Sequence, residues 1–168
     1  MIRNALPTGL ALFCALAGPG RAEEDRYIGI FVGSQHIGSD EYNDFNPGLT
    51  YGRRWSYGTG GTEVHLEGGV FYNSYREVSP IVVAGVSTRV ARIGPGDLRL
   101  GASVGMAYYK ELSEVLEAKY DFPSVGGFLP VAAVTGAYRV RNVEYRLSVL
   151  PYGDDVDGVV NFSFAVSF

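Results

Sequence analysis

Chemistry in this chain of 168 residues would have to come from very few side chains: two histidines, His36 and His65, and one cysteine, Cys14, alongside many serines and tyrosines. A single thiol excludes a Cys-based zinc site, and no His, Asp or Glu spacing matches a metal-ligand set. Gly29-x-x-x-Gly33 and Gly94-x-Gly96 read as strand and turn glycines rather than phosphate cradles, and no nucleophile elbow is present. No cofactor and no metal is therefore expected. What stands out is His36 at the end of one alternating apolar segment and Asn73-Ser74 at the end of another. Brought to the same rim, such a His and Ser can pair as general base and hydroxyl, with a third polar group orienting the imidazole. His65, two residues from Glu67, reads instead as a member of a buried polar network.

The elements that would position these groups are strands. Val160, Phe162, Phe164, Val166 and Phe168 share one face of the last segment, with Asn161, Ser163, Ala165 and Ser167 on the other. The same period of two runs through Leu98–Tyr108, Val64–Asn73 and Val143–Val149. Further strands are predicted near Tyr27–Gln35, Pro47–Ser56, Pro80–Val90 and Phe128–Tyr138, making eight.

Eight alternating strands fit either a soluble lipocalin-like barrel or a membrane barrel. Small partners such as Gly101, Gly105, Ala107, Ser163 and Ala165 suit a narrow interior with the large apolar residues turned to lipid. Charges at Glu63, Glu67, Arg99, Glu144 and Arg146 would then pair in the lumen. A strand of about ten residues matches a tilted membrane crossing, and the chain ends on an aromatic, as bacterial outer-membrane closing strands do. The predicted fold is all-β: an eight-stranded antiparallel transmembrane β-barrel. Its periplasmic turns are short, at Tyr57–Thr62, Arg92–Asp97 and Arg139–Asn142. The outer connections are longer: His36–Asn46, Asn73–Ser79, Lys110–Gly127 and Pro151–Gly158. Acidic residues gather in those outer loops, where they are solvated and can share divalent cations with phosphorylated lipid head groups.

Composition narrows the rest. With 46% hydrophobic residues and a net charge of −4, the chain is neither disordered nor a nucleic-acid binder. Residues 1–22 read as a signal peptide: Arg3, then the apolar run Leu10–Ala17, then Gly20 and Ala22 ahead of a cleavage before Glu23. Residues 23–168 form the barrel, predicted to sit in the bacterial outer membrane as a monomer. Eight strands leave an interior that side chains fill, which argues against a pore. His36 points to lipid when counted from Ile30 and inward when counted from Phe31, so a β-bulge is predicted in the first strand.

Phe71-Tyr-Asn-Ser-Tyr-Arg-Glu-Val-Ser-Pro80 resembles the strand-three-to-four segment of the lipid A palmitoyltransferase (PagP-type) barrels, including the spacing from Phe to Pro. Tyr42-Asn43 with Pro47-Gly48, Leu129-Pro130-Val131-Ala132, Leu150-Pro151 and the closing Gly158–Phe168 stretch are similar to that family's segments, in the same order. The resemblance implies transfer of an acyl chain from a phospholipid donor to a lipid A acceptor at the outer leaflet. It places His36 and Ser74 at the family's catalytic His and Ser, and Asn73 where the family has Asp. It also puts Pro130 and Pro151 where the wall opens laterally to lipid, and Gly85 at the floor of the acyl pocket. Two departures matter. Asn73 cannot hold an imidazolium by charge, so Asp40, Glu41 or Asp44 would have to supply the carboxylate, and the amphipathic helix ahead of strand one is missing. The alternative is a non-catalytic structural or lipid-binding barrel that kept the fold and lost the Asp.

Overall fold

The computed structural model describes residues 24–38, 42–120, 124–151 and 158–168. The signal-peptide reading of residues 1–22, the candidate carboxylates Asp40 and Glu41, and Asp121, Asp154, Asp155 and Asp157 of the acidic outer loops lie outside the described residues. Eight strands close on themselves in chain order. They are β1 (Glu24–Ile37), β2 (Gly48–Tyr57), β3 (Thr62–Tyr72), β4 (Val78–Ile93), β5 (Gly96–Tyr108), β6 (Phe128–Val140), β7 (Val143–Pro151) and β8 (Gly158–Ser167). Every neighbouring pair is antiparallel, and β8 returns to β1 from Tyr27–Ser167 to Ile37–Gly158. Closure removes the unpaired edges that an open sheet would expose.

The alternation sorts as the sequence predicts. Val82, Val86, Leu100, Val104, Val134, Leu147 and Phe162 are each roughly half exposed on the outer surface. Their neighbours Glu67, Arg99, Ala107, Glu144, Ser163 and Ala165 are buried inside. An apolar exterior around a polar interior is the arrangement of a barrel whose solvent is lipid. No helix among the described residues is long and apolar enough to cross a membrane.

One outer connection is not all loop. A helix, α1 (Lys110–Tyr120), follows β5 in a stretch read above only as a long connection. Its sequence Lys-Glu-Leu-Ser-Glu-Val-Leu-Glu-Ala-Lys-Tyr is rich in helix formers. Glu111 in the first turn complements the helix dipole, and Leu112 is buried. Strand periodicity alone does not look for such a helix.

Two ladders stop short of the outer rim. β1 pairs with β2 only as far as Phe31–Gly48, although β1 runs on to Ile37. The segment 42–47 fills that gap: Ser34 N–H donates to the Asp44 carbonyl at 2.8 Å and Tyr72 N–H to the Pro47 carbonyl at 2.8 Å. Asn46, buried, holds the segment with its side chain, accepting from the Ser34 hydroxyl and donating to the Tyr72 carbonyl at 3.1 Å. The β6–β7 ladder ends at Val134–Val149, although β6 begins at Phe128 and β7 continues to Pro151.

Candidate functional site

His36 reaches the site because β1 contains the predicted bulge. Its register against β8 shifts between Phe31 and Gly33, which turns Ser34 and His36 inward. The His36 side chain is only 7% exposed. Ser74, just beyond β3, donates its hydroxyl to His36 Nε2 at 2.9 Å. On the other side of the ring, His36 Nδ1 lies 3.2 Å from Asp44 Oδ1. A carboxylate at Nδ1 fixes the tautomer that leaves Nε2 free to accept the Ser74 proton. Tyr42 stacks on the imidazole at 4.9 Å between centroids, with the rings 29° apart. Tyr75 meets Tyr42 edge-on at 5.5 Å, and Tyr109 meets Tyr75 at 6.3 Å. Burial and then the hydrogen bond with Tyr42 push the Tyr75 phenol up, and burial pushes Tyr109 up to about 12. Both phenols are therefore neutral near pH 7.

Asn73 does something other than orient His36. Fully buried, it accepts at Oδ1 from the N–H groups of Tyr75 and Glu77, each at 2.9 Å. Its Nδ2 donates to the Ser79 hydroxyl at 2.9 Å. Its main chain pairs with Glu77 and Arg76, and Arg76 is held at φ 64°. Asn73 thus folds the turn that presents Ser74, while Asp44 takes the place beside the imidazole. Of the three acids named in the sequence, Asp44 is among the described residues and lies there; Asp40 and Glu41 are outside them. The signal was its position in the Tyr42–Pro47 stretch, which is anchored to the strands by hydrogen bonds and the Tyr42–His36 stack, contacts that no periodicity reveals.

Below this rim opens a cavity of about 180 Å³. His36, Ser74 and Tyr42 line its mouth, and Phe31, Phe71, Ile81, Val83, Val131 and Leu150 its upper wall. Further down the lumen is crossed by ion pairs. Arg146 on β7 reaches Glu67 on the far wall at 2.8 Å, and Tyr27 and Thr50 donate to the same carboxylate at 2.7 and 2.5 Å. Glu144 meets Arg54 at 3.1 Å, Arg146 at 2.8 Å and Arg139 as well. Glu63 takes Arg139 in a fork at 2.9 and 2.9 Å, with Arg99 at 3.2 Å. All five charges expected to pair in the lumen do so. Arg54 and Arg139 complete the set, and Arg139, assigned to an inner turn above, turns back into the barrel.

Gly85 lies on the lumen side of β4, but the space a side chain would occupy there is taken. A Cβ would meet the His65 imidazole at 2.6 and 2.7 Å and the Ala102 carbonyl at 2.5 Å. His65 therefore lies against the glycine of the neighbouring strand. Pro130 faces outward on β6 opposite Met106, and Pro151 ends β7 opposite Gly158. Both prolines lie within the stretch in which β6 and β7 are unpaired.

No family model matches this sequence, and no curated protein does. Among solved structures the chain is similar to a designed protein described under "De novo design of transmembrane beta-barrels", with a TM-score of 0.52 at 17% identity. The match covers 86% of this chain and 95% of that one. That likeness concerns the fold: an eight-stranded transmembrane-type β-barrel.

Proposed function

We propose that this barrel is an outer-membrane acyltransferase that moves an acyl chain from a phospholipid to lipid A or a related acceptor. The observation that carries the reading is the Ser74–His36–Asp44 relay, 2.9 and 3.2 Å long, set at the mouth of a cavity with an apolar upper wall. Ser74 Oγ attacks the ester carbonyl of the donor while His36 Nε2 takes its proton. Collapse of the tetrahedral intermediate breaks the ester C–O bond. The leaving lysolipid oxygen takes the proton back from His36 and the acyl group stays on Ser74. The acceptor hydroxyl then gives its proton to His36 and attacks the acyl-Ser74 ester; the acyl C–Oγ bond breaks, and Ser74 Oγ takes that proton back from His36 Nε2. Asp44 holds the imidazole and stabilises its positive charge, and Tyr42 backs the ring.

The acyl chain occupies the lumen. The unpaired seam beside Pro130 and Pro151 offers it a lateral way in, because neither proline can donate a ladder hydrogen bond.

The protein refolded in detergent with labelled phospholipid and lipid A tests this reading. Acyl transfer that is lost in both His36→Ala and Ser74→Ala supports it. A heat-modifiable, folded barrel with no transfer leaves the non-catalytic alternative.

A further inference from the structure

We infer that the outer surface of the barrel binds the headgroup of an anionic phospholipid at its short-turn end, through Arg26 and Arg53. This site does not depend on acyl transfer. On β1, Tyr27 is buried in the lumen, which turns Glu24 and Arg26 outward; on β2, buried Arg54 does the same for Arg53 and Trp55. The ladder sets Arg26 directly opposite Arg53 and Glu24 directly opposite Trp55. Two guanidinium groups, a carboxylate and an indole therefore make a square on the lipid face.

Like charges directly opposite one another on a sheet repel, and here one carboxylate oxygen serves both. Glu24 Oε1 accepts from Arg53 Nη2 at 2.6 Å and Nε at 2.8 Å, and from Arg26 Nε at 3.2 Å. Two cations against one anion leave the square with a net charge of +1. Among the described residues, both Nη groups of Arg26 and Nη1 of Arg53 have no protein acceptor, and the two side chains are 57% and 44% exposed. In the lumen the balance is reversed, since Arg139 and Arg146 each reach two carboxylates.

An outward arginine is costly at the middle of a bilayer and nearly free at its interface. Arg53 lies four residues from Tyr57, where β2 ends at the short turn, a descent of ~10 Å. Trp55 and Tyr57 flank it there, and Phe168, 72% exposed, donates its N–H to the Arg26 carbonyl at 3.0 Å. Tryptophan and tyrosine concentrate at headgroup level. The Arg53 guanidinium lies over the Trp55 ring at 5.6 Å, which holds it against the wall. Lipid phosphate is the anion at that level, and its two free oxygens suit two guanidinium forks. An anionic headgroup brings the one negative charge that the square lacks, whereas a zwitterionic headgroup brings an ammonium that cancels it.

Trp55 is the only tryptophan of the chain, so its fluorescence reads the site. The protein is refolded into phosphatidylcholine vesicles that contain phosphatidylglycerol or phosphatidylethanolamine brominated on the acyl chains. Quenching, taken as a ratio within each protein, gives the relative affinity of each lipid for the wall at Trp55. An arginine near a membrane surface favours anionic lipid by about a factor of five. Wild type should therefore prefer phosphatidylglycerol about fivefold. Arg26→Gln and Arg53→Gln cancel the net charge and should bring that preference to about one. Glu24→Gln doubles the charge and should raise it to about twenty-five-fold, a gain that a poorly folded protein would not show. Heat-modifiability is the folding control. Equal quenching by the two brominated lipids in wild type overturns the site, as does a preference that survives both arginine variants or ignores Glu24→Gln. Inorganic phosphate, with ionic strength matched by chloride, should leave the preference unchanged. A preference that it abolishes would assign the square to a free anion and overturn the lipid.

Discussion

On the acyl-transfer reading, replacing Asp44 by Asn should slow the proposed reaction by about 30- to 150-fold, less than a fully buried triad aspartate is worth. Unit charges 3.2 Å apart attract by ~1.3 kcal/mol in bulk water and ~5 kcal/mol at the effective dielectric of about 20 that suits pairs near a surface. His36 is 7% exposed and Asp44 66% exposed, so water screens one partner and hardly reaches the other. The imidazolium formed during acylation therefore gains about 2–3 kcal/mol from the carboxylate, and each ~1.36 kcal/mol is a factor of ten in rate. Asn retains an acceptor for Nδ1–H, which isolates the charge from the hydrogen bond. For a buried aspartate the same change costs ~10⁴. The companion variant is Asn73→Asp, which restores the acid that the family resemblance asks for. Its second oxygen would replace the Nδ2 donor to Ser79 and lie near Glu77 Oε2, now 3.4 Å from Nδ2. That change should destabilise the turn by about 1–3 kcal/mol and leave transfer no faster than wild type. Initial rates on labelled phospholipid, with heat-modifiability as the folding control, read both. An Asp44→Asn protein as fast as wild type, or an Asn73→Asp protein that is faster, would refute the assignment of Asp44.

Three further outcomes follow from the same geometry. Glu144→Gln removes the carboxylate that Arg54, Arg139 and Arg146 share. It should lower the unfolding free energy by about 3–5 kcal/mol, read as a lower urea midpoint, because guanidinium charge is left buried and unpaired. The Tyr109 phenol is held up to about 12 by burial. An unfolded phenol titrates near 10, so the unfolded chain loses its proton first. Stability is thus full below pH ~10 and falls by about 1.4 kcal/mol per pH unit until the folded phenol ionises. Phenolate absorbance, wild type minus Tyr109→Phe, should show that late titration. Arg76 is held at φ 64°, which costs an L-residue roughly 1–2 kcal/mol. Arg76→Gly should therefore leave the urea midpoint unchanged or slightly raised, and a clear drop would show that its side chain holds the turn.

The barrel was legible because lipid-facing and lumen-facing residues alternate with a period of two over whole strands. Val160 to Phe168 reads correctly without any tertiary knowledge. So does the bulge in β1, since Ile30 and Phe31 give His36 opposite faces and only one extra residue reconciles them. The turn around Asn73 was harder. In sequence an Asn in place of an Asp looks like a lost charge, because the resemblance assigns that position a role beside the imidazole. In the structure its carboxamide has a donor and an acceptor to place: two N–H groups into Oδ1 and the Ser79 hydroxyl under Nδ2. A carboxylate cannot donate, so the Ser79 partner suits Asn better than Asp. Helix α1 was missed for a different reason. Its eleven residues carry helical propensity, and a barrel reading looks only for the next strand.

The placement of charge in the lumen ties these pieces together. Tyr27, Arg54, Glu67, Glu144 and Arg146 form a layer in which nearly every polar atom has a partner, with one Arg54 nitrogen left over. Arg54 also lies 3.5 Å from Asp25, and its guanidinium sits 4.2 Å from the centroid of the Tyr27 ring. Such a layer spans a narrow barrel more rigidly than apolar packing would, because each guanidinium fork fixes direction as well as distance. The same layer lines the lumen with charge below the apolar upper wall. Function at the rim requires the opposite balance. There the segment 42–47 is joined to the wall by main-chain bonds at Ser34 and Tyr72 and by the Asn46 side chain. It carries both Tyr42 and Asp44, so any opening of the wall between β1 and β3 would withdraw the carboxylate from His36. The relay is therefore complete only while that segment is seated, and on the acyl-transfer reading Asn46→Ala should lower the transfer rate while the barrel stays folded and heat-modifiable. An Asn46→Ala protein as fast as wild type would show instead that the main-chain bonds at Ser34 and Tyr72 seat the segment without that side chain.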